Sequence, residues 1–195
     1  GKRDLADQTI DYAGTDSAVK PEEKAGFKGG ELLYFPVAAA PITLTANVSG
    51  ITSLRLDAAT IAGIYEGSIT RWDDPAIEAL NEGRRFPPTP IVAVHRSDKS
   101  GTTANFTRFL AVAAAEVWTS GAGDEVRWGT PTAAEKNSGV AALVSTTDGA
   151  IGYIDLVDAV AVQEVVPSLT IAKVLNKAGN FIEPKLPGAT AALET

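Results

Sequence analysis

An apolar strand, a polar turn and an amphipathic helix follow one another without interruption over residues 91–118. The run Ile91–His95 is short and apolar, and Arg96–Thr103 is polar with one glycine. Apolar residues then recur at helical spacing through Ala104–Trp118, which predicts a helix with one buried face. A strand that leads directly into a helix is the repeating unit of α/β folds, so this segment favours that class.

The remaining elements continue the alternation. Helices are predicted at Leu54–Glu66, Pro75–Asn81 and Ser138–Ser145, and strands at Thr9–Ala13, Ala150–Ile154 and Ile171–Leu175. Asp57 has the position of an N-cap in the first helix and Gly67 would end it. Residues 31–48 contain two strand-like runs that prolines interrupt, which suits a crossing between two lobes. The sequence therefore predicts an α/β fold.

Two specific expectations follow for the core. The strands near 91–95 and 150–154 should lie in the same sheet of one α/β domain that covers residues 41–180. Trp72 and Phe106 should be largely buried, because large aromatic side chains contribute most to the apolar area that folding removes from water.

Composition excludes several classes of function. The chain has 195 residues, no Cys and a single His, which rules out thiolate chemistry and disfavours a histidine-built metal site. The net charge is −7, and nucleic acid is not an expected partner because backbone binding needs a basic stripe. No apolar run has the length of a membrane span, and no signal peptide is visible. The sequence contains no Met and opens at Gly1, which suggests a processed segment.

The turn at 96–103 has the composition of an anion site. A helix N-terminus presents free N–H groups and partial positive charge, to which Ser100 and Thr102 add hydroxyls. Gly101 permits close approach of the backbone, and Arg96 adds a planar charged fork that Asp98 could orient. The same residue types also serve as ordinary helix caps, so capping alone remains open. The spacing does not fit a nucleotide P-loop.

Two further residues allow alternative interpretations. Asp16 follows a predicted strand and is either a turn residue or a carboxylate that accepts a proton from a bound anion. His95 with Ser97 or Ser100 would suggest a hydrolase, but no nucleophile-elbow motif is present and a packed strand histidine is the default.

Five stretches of the sequence resemble the phosphate-binding proteins of bacterial ABC phosphate importers. They are Asp11–Ser17, Leu33–Val37, Ile64–Asp74, His95–Thr103 and Gly149–Ile154, in family order and spread over most of the chain. The resemblance implies a type II periplasmic-binding-protein fold with two lobes around a cleft. It also implies that phosphate is held by Asp16, Arg96, Ser100, Gly101 and Thr102, with Asp98 orienting the guanidinium.

The chain departs from the family pattern at both ends. The Gly-rich opening that the family places ahead of Asp16 is not seen, nor are the returning strands of the first lobe. The expected organisation is a remnant of lobe one and a crossover at 1–40, lobe two at 41–180, and a return segment at 181–195. Because half of the ligand shell would then be missing, phosphate affinity of this chain alone is expected to be millimolar or weaker.

The resemblance implies an extracytoplasmic solute-binding protein, lipid-anchored at full length, that delivers inorganic phosphate to the membrane subunits of an ABC permease. No catalysis, cofactor or metal is expected, and no direct membrane insertion of this segment. Two alternatives from other classes are a scaffold or adhesion domain that keeps the fold without the ligand, and a hydrolase that uses Ser100 and His95. Phosphate titration would separate the first alternative from the binding protein, and turnover of a model ester would reveal the second.

Overall fold

The computed structural model describes residues 1–15 and 17–185. The chain divides into two units, Gly1–Ala39 and Ala40–Thr195. The first unit contains one short helix, α1 (Lys2–Ala6), and a 3₁₀ helix (Pro21–Gly26). The Lys2 ammonium donates to Ser17 Oγ at 2.9 Å, and the Val19 amide donates to the Tyr34 hydroxyl at 3.0 Å.

The strand predicted at Thr9–Ala13 is wrong. The backbone turns at Gln8, which has a φ of 58°, and both the amide and the hydroxyl of Thr9 donate to the Asp4 carbonyl at 3.0 Å. These local bonds close the end of α1 and use the groups that a strand would offer to a neighbour. A lone apolar run does not form a strand without a paired ladder.

The second unit carries a mixed sheet with helices on both faces. Its elements are β1 (Ile42–Asn47), β2 (Arg55–Leu56), α2 (Ala58–Glu66), α3 (Pro75–Leu80), β3 (Val92–Arg96), α4 (Gly101–Ala113), β4 (Thr132–Ala134), α5 (Lys136–Thr146), β5 (Ala150–Asp155), α6 (Leu156–Val165), β6 (Thr170–Ile171), β7 (Lys173–Leu175) and β8 (Phe181–Ile182). The main sheet has the order β4-β3-β5-β1-β6, and β2-β7-β8 form a second sheet. The α/β class is confirmed.

Strand pairing in the main sheet combines both directions. Strand β3 runs parallel to β4 and β5, whereas β1 runs antiparallel to β5 and β6. The expectation that the segments near 91–95 and 150–154 share a sheet is confirmed by the pairing of Val92 with Ala150 and of Val94 with Gly152. The segment predicted as one edge strand at 171–175 is split, because β6 pairs with β1 and β7 pairs with β2.

The alternation of side chains along β5 divides the core into two layers. Ile151 and Tyr153 face a cluster that includes Trp72, Phe106 and Leu110. Ala150 and Ile154 face the opposite cluster, which includes Val140 and Val144 of α5. This is the period of two that a strand buried on both faces requires.

Trp72 and Phe106 are buried at 0% and 4% exposure, as the sequence predicts. The Trp72 indole N–H donates to the Gly149 carbonyl at 2.9 Å, so the polar group of this buried side chain has a hydrogen-bond partner. The contact joins the turn before α3 to the turn before β5.

Helix boundaries follow local capping. Asp57 Oδ1 accepts from the Thr60 amide at 2.7 Å, and α2 ends at Gly67, whose φ is 79°. Asp74 caps α3 ahead of Pro75. Helix α4 begins at Gly101 rather than at Ala104, because the Ser100 side chain caps it, and it ends at Ala113 rather than Trp118.

Candidate functional site

The junction between β3 and α4 brings a charged side chain next to a helix start. Strand β3 ends at Arg96, and Ser100 is the N-cap of α4 with extended backbone angles. Ser100 Oγ accepts from the amides of Thr102 and Thr103 at 3.1 and 3.3 Å, while the Ser100 amide donates to the Asp124 carbonyl at 3.0 Å. Because the Ser100 oxygen accepts twice, its own hydrogen remains to be donated.

The amides at the start of α4 differ in their engagement. The Gly101 amide donates to no group within residues 1–15 and 17–185, and the Thr102 amide has the Ser100 hydroxyl as its partner but no backbone partner. Ser100 and Thr102 are buried at 6% and 4% exposure. Ser100 therefore does cap α4, and the Gly101 amide still has no partner in the described part of the chain.

The Arg96 guanidinium is held on two sides. Its Nε and Nη2 donate to the two carboxylate oxygens of Asp98 at 2.8 and 2.5 Å, and its Nη1 donates to Asn137 Oδ1 at 2.8 Å. A guanidinium has five N–H donors, and these bonds occupy three of them. One N–H on each terminal nitrogen is left without an acceptor among residues 1–15 and 17–185, and guanidinium N–H groups are strong donors to oxyanions.

The electrostatics of this pair keep both groups charged. Hydrogen bonds from Arg96 hold the pKa of the Asp98 carboxyl well below its usual range. The hydrogen bond to Asp98 raises the pKa of Arg96, although partial burial opposes it. The Arg96 side chain is 9% exposed, so its charge is largely removed from bulk water. Its two remaining N–H donors have no acceptor among residues 1–15 and 17–185.

Tyr153 of β5 ties the two parts of the junction together. Its hydroxyl oxygen accepts from the Arg96 amide at 3.0 Å and lies 2.7 Å from Thr103 Oγ1. The ring stacks on Phe106 with a centroid separation of 4.3 Å. Burial raises the pKa of the Tyr153 phenol, so it stays protonated at neutral pH. Tyr153 thereby fixes the end of β3 against the first turn of α4.

The start of α5 supports Asp98 and Arg96 from the other side. The Lys136 amide donates to Asp98 Oδ1 at 3.0 Å, and Lys136 has a φ of 63°, in the left-handed region that favours glycine. Asn137 donates through Nδ2 to Asp155 Oδ2 at 2.6 Å. The turn after β3 and the start of α5 therefore meet at one guanidinium.

The structure brings together five of the six predicted site residues. Arg96, Asp98, Ser100, Gly101 and Thr102 lie at this junction, and the predicted pairing of Asp98 with Arg96 is confirmed. Asp16 lies outside the described residues.

The sequence analysis missed Tyr153, Lys136 and Asn137. Asn137 stands three residues before the apolar run that begins at Val140. This was its only local signal, and it is also typical of a helix cap.

His95 is a packed strand histidine, as its default interpretation predicts. Its Nδ1 lies 3.0 Å from the Arg96 carbonyl oxygen and its Nε2 lies 3.2 Å from the Thr130 carbonyl oxygen. The ring stacks on Trp128 at a centroid distance of 4.9 Å. Both ring nitrogens thus face backbone carbonyls rather than a serine hydroxyl.

Among residues 1–15 and 17–185, no cluster of three or more His, Cys, Asp or Glu side chains is arranged to hold a metal ion. Within the same residues, no helix combines the length and apolar character needed to cross a membrane.

Comparison with known proteins places the chain in the PBP superfamily. A family model described as a PBP superfamily domain matches residues 1–194. The chain is 38% identical over 184 residues to Phosphate-binding protein PstS 2 of Mycobacterium tuberculosis, an alignment that covers 92% of this chain and 48% of that protein. The chain thus spans about half the length of that relative. The predicted resemblance is confirmed.

Solved structures agree on the fold. A high affinity periplasmic phosphate-binding protein crystallised with phosphate superposes with a TM-score of 0.76 at 24% identity, over 98% of this chain and 58% of that chain. A putative phosphate ABC transporter substrate-binding protein from Clostridium perfringens, with bound phosphate, gives a TM-score of 0.67 at 22% identity, over 99% of this chain and 65% of that one. The predicted type II periplasmic-binding-protein-like fold is therefore confirmed.

Proposed function

Because the chain belongs to the PBP superfamily, we propose that it forms part of a solute-binding protein that captures inorganic phosphate for an ABC importer. The observation that carries the proposal is the Arg96 guanidinium, which is fixed by Asp98 and Asn137. Within the described part of the chain, one N–H on each of its terminal nitrogens has no acceptor. The N-cap of α4, Ser100, lies four residues further along the chain, and this helix start adds the Gly101 amide and the Ser100 hydroxyl hydrogen. Relatives named as phosphate-binding proteins support the same ligand.

The described donors suit a tetrahedral oxyanion. Two N–H groups of one guanidinium bind two oxygens, and the partial positive charge of the helix start favours negative charge beside it. We further propose that Asp16 accepts the proton of a protonated phosphate. A site built around such a bond rejects a fully ionised oxyanion of the same size, by about 10⁴-fold in comparable cases. Sulfate is the competitor that tests this proposed role of Asp16.

The proposed organisation assigns residues 41–180 to the second lobe of the fold, with 1–40 as a remnant of the first lobe and crossover and 181–195 as a return segment. The protein would act outside the cytoplasm, with a lipid anchor at full length, and its macromolecular partners would be the membrane subunits of the permease.

The proposed role is binding without catalysis. Both ring nitrogens of His95 lie against the carbonyl oxygens of Arg96 and Thr130. The Ser100 oxygen accepts two backbone amides, which is the role of a cap rather than of a nucleophile poised by a base. A model phosphate ester should therefore not be turned over.

Calorimetric titration of the protein at its full natural length tests the proposal. Phosphate should bind and sulfate should bind far more weakly. Arg96→Ala should weaken phosphate binding by about 3 kcal/mol, because a charged two-bond contact is lost from a largely dehydrated position. Arg96→Lys should restore only part of it, since an ammonium lacks the fork. Equal phosphate affinity of the parent and Arg96→Ala, both folded, would remove Arg96 from the site.

A further inference from the structure

We propose that Asn137 is a positioning residue that sets the orientation of the Arg96 guanidinium and keeps its charge available to the ligand. The inference rests on the proposed phosphate site and adds a residue to its machinery. Asn137 lies 41 positions beyond Arg96 in the sequence, at the start of α5, and is partly buried.

The side-chain amide of Asn137 bridges two charged groups. Its Oδ1 accepts from Arg96 Nη1 at 2.8 Å, and its Nδ2 donates to Asp155 Oδ2 at 2.6 Å. This assignment of the amide oxygen and nitrogen is the one that satisfies both neighbours, because a guanidinium only donates and a carboxylate only accepts. A continuous chain of contacts thus runs from the end of β5, through α5, to the end of β3.

Asn137 holds the guanidinium nitrogen that Asp98 does not contact. The Asp98 carboxylate holds Nε and Nη2 along one edge of the guanidinium. The bond to Asn137 fixes Nη1, so the plane is held at all three nitrogens. The two remaining N–H groups, one on each terminal nitrogen, are then held in fixed directions, and a ligand finds them already oriented. Pre-ordering of this kind strengthens binding by removing part of the ordering cost.

A neutral amide at this position has an electrostatic consequence. A carboxylate in place of Asn137 would be the second anion bonded to Arg96, so the group would become net negative and would repel an oxyanion. The amide accepts from the guanidinium without adding charge, and it keeps the Asp155 carboxylate one side chain away from Arg96. Asn and Gln are the side chains that can accept and donate at once while remaining uncharged at all ordinary pH values.

The test compares three variants in the protein at its full natural length. Asn137→Ala removes the bridge, and Asn137→Asp replaces it with a carboxylate that would face Asp155. Asn47→Ala is the matched control, because Asn47 Nδ2 donates to the carbonyls of Val144 and Ser145 and so anchors the opposite end of the same helix. A general loosening of α5 would affect the control as much as the test variants.

Phosphate titration should give about tenfold weaker binding for Asn137→Ala, which corresponds to one lost bond to a charged group. Asn137→Asp should weaken binding by about 100-fold at pH 8, because the added charge repels the ligand. Asn47→Ala should bind as the parent does. The ¹⁵N signals of the Arg96 terminal nitrogens should show faster rotation about the Cζ–Nη1 bond in Asn137→Ala but not in Asn47→Ala.

The pH dependence of phosphate affinity distinguishes an effect of the added charge from an effect of altered packing. Among residues 1–15 and 17–185, the charged groups bonded to Asn137 are Arg96 and Asp155. Asp98 and Tyr153 bond to Arg96, and Glu135 and Lys136 precede Asn137 in the chain. Two carboxylates at the distance now spanned by Asn137 and Asp155 would share a proton as the pH falls. The affinity of Asn137→Asp relative to the parent should therefore recover between pH 8 and pH 5, and the ratio for Asn137→Ala should stay constant.

The outcomes distinguish this inference from the proposed function. If the parent binds phosphate and Asn137→Ala binds equally well with unchanged Arg96 signals, the positioning role is wrong and the phosphate site stands. If Asn47→Ala weakens binding as much as Asn137→Ala, the effect belongs to the helix and the inference also fails. If the parent does not bind phosphate, the proposed function itself is overturned.

Discussion

Val140 of α5 packs so closely onto Gly152 of β5 that a Cβ atom at position 152 would lie 2.5 Å from Val140 Cγ1. The same Cβ would lie 2.9 Å from Val144 Cγ2. Helix α5 therefore lies against the centre of the sheet at a distance that only glycine allows, and its first residues reach Asp98 and Arg96 because of that depth.

Gly152→Ala should destabilise the protein by about 2 kcal/mol, because the added methyl group overpacks a closed core. Urea unfolding followed by circular dichroism measures the change. Gly139→Ala in the same helix is the matched control: its Cβ would lie 3.6 Å from the nearest atom, an ordinary contact. That variant should be neutral or stabilising by up to about 1 kcal/mol, because alanine favours helix. Equal effects of the two changes would contradict the packing argument.

Tyr153→Phe should cost about 2 kcal/mol of unfolding free energy, because the partly buried Arg96 amide and the buried Thr103 hydroxyl would lose a shared partner. Tyr65→Phe is the comparison. The Tyr65 hydroxyl is equally buried but donates to the Val94 carbonyl at 3.4 Å, a longer and weaker bond. Thermal or urea unfolding should rank Tyr153→Phe as clearly the more destabilised, and the reverse order would show that the Tyr153 bonds add little.

Asp98→Asn should destabilise the protein at pH 7 and lose its effect in acid. The pKa of Asp98 is held below its usual range by Arg96, so the folded state binds a proton less readily than the unfolded chain. The stabilisation is complete above the unfolded pKa of about 4 and disappears as the pH falls towards the lower folded value. The difference between parent and Asp98→Asn should be about 2 kcal/mol at pH 7.

Urea unfolding at several pH values between 7 and 2 tests this dependence. Asp73→Asn provides a control, because Asp73 pairs with Arg71 through the same two-bond geometry at an exposed position. Exposed pairs contribute little to stability. A constant difference between the parent and Asp98→Asn across the pH range would show that the ion pair is not the source of the effect.

Short-range features of the fold could be predicted from the sequence. Asp57, Gly67 and Pro75 determine helix ends through bonds within a few residues, and the apolar runs at 91–95 and 150–154 form strands because each is buried on both faces. The run at Thr9–Ala13 has strand-like composition but does not form a strand, because its first residue bonds back to the preceding helix.

The residues of the candidate site likewise fall into those that are close in the sequence and those that only the fold brings together. Arg96, Asp98 and Ser100 lie within one turn, so their spacing alone suggests that they act together. Tyr153 and Asn137 contact Arg96 across 57 and 41 residues, and only the pairing of β3 with β5 and the depth of α5 bring them there. The sequence indicates which groups could bind an anion, but tertiary packing decides how the guanidinium is held.

Phosphate titration of the ¹⁵N-labelled 195-residue chain tests the central claim most directly. Millimolar binding, worth about 4 kcal/mol, should shift the amide signals of Ser100, Gly101 and Thr102 and the Arg96 Nε signal together, and Arg96→Ala should abolish the shifts. If saturating phosphate leaves these signals unchanged, or perturbs only residues away from the β3–α4 junction, the assignment of the phosphate site is contradicted.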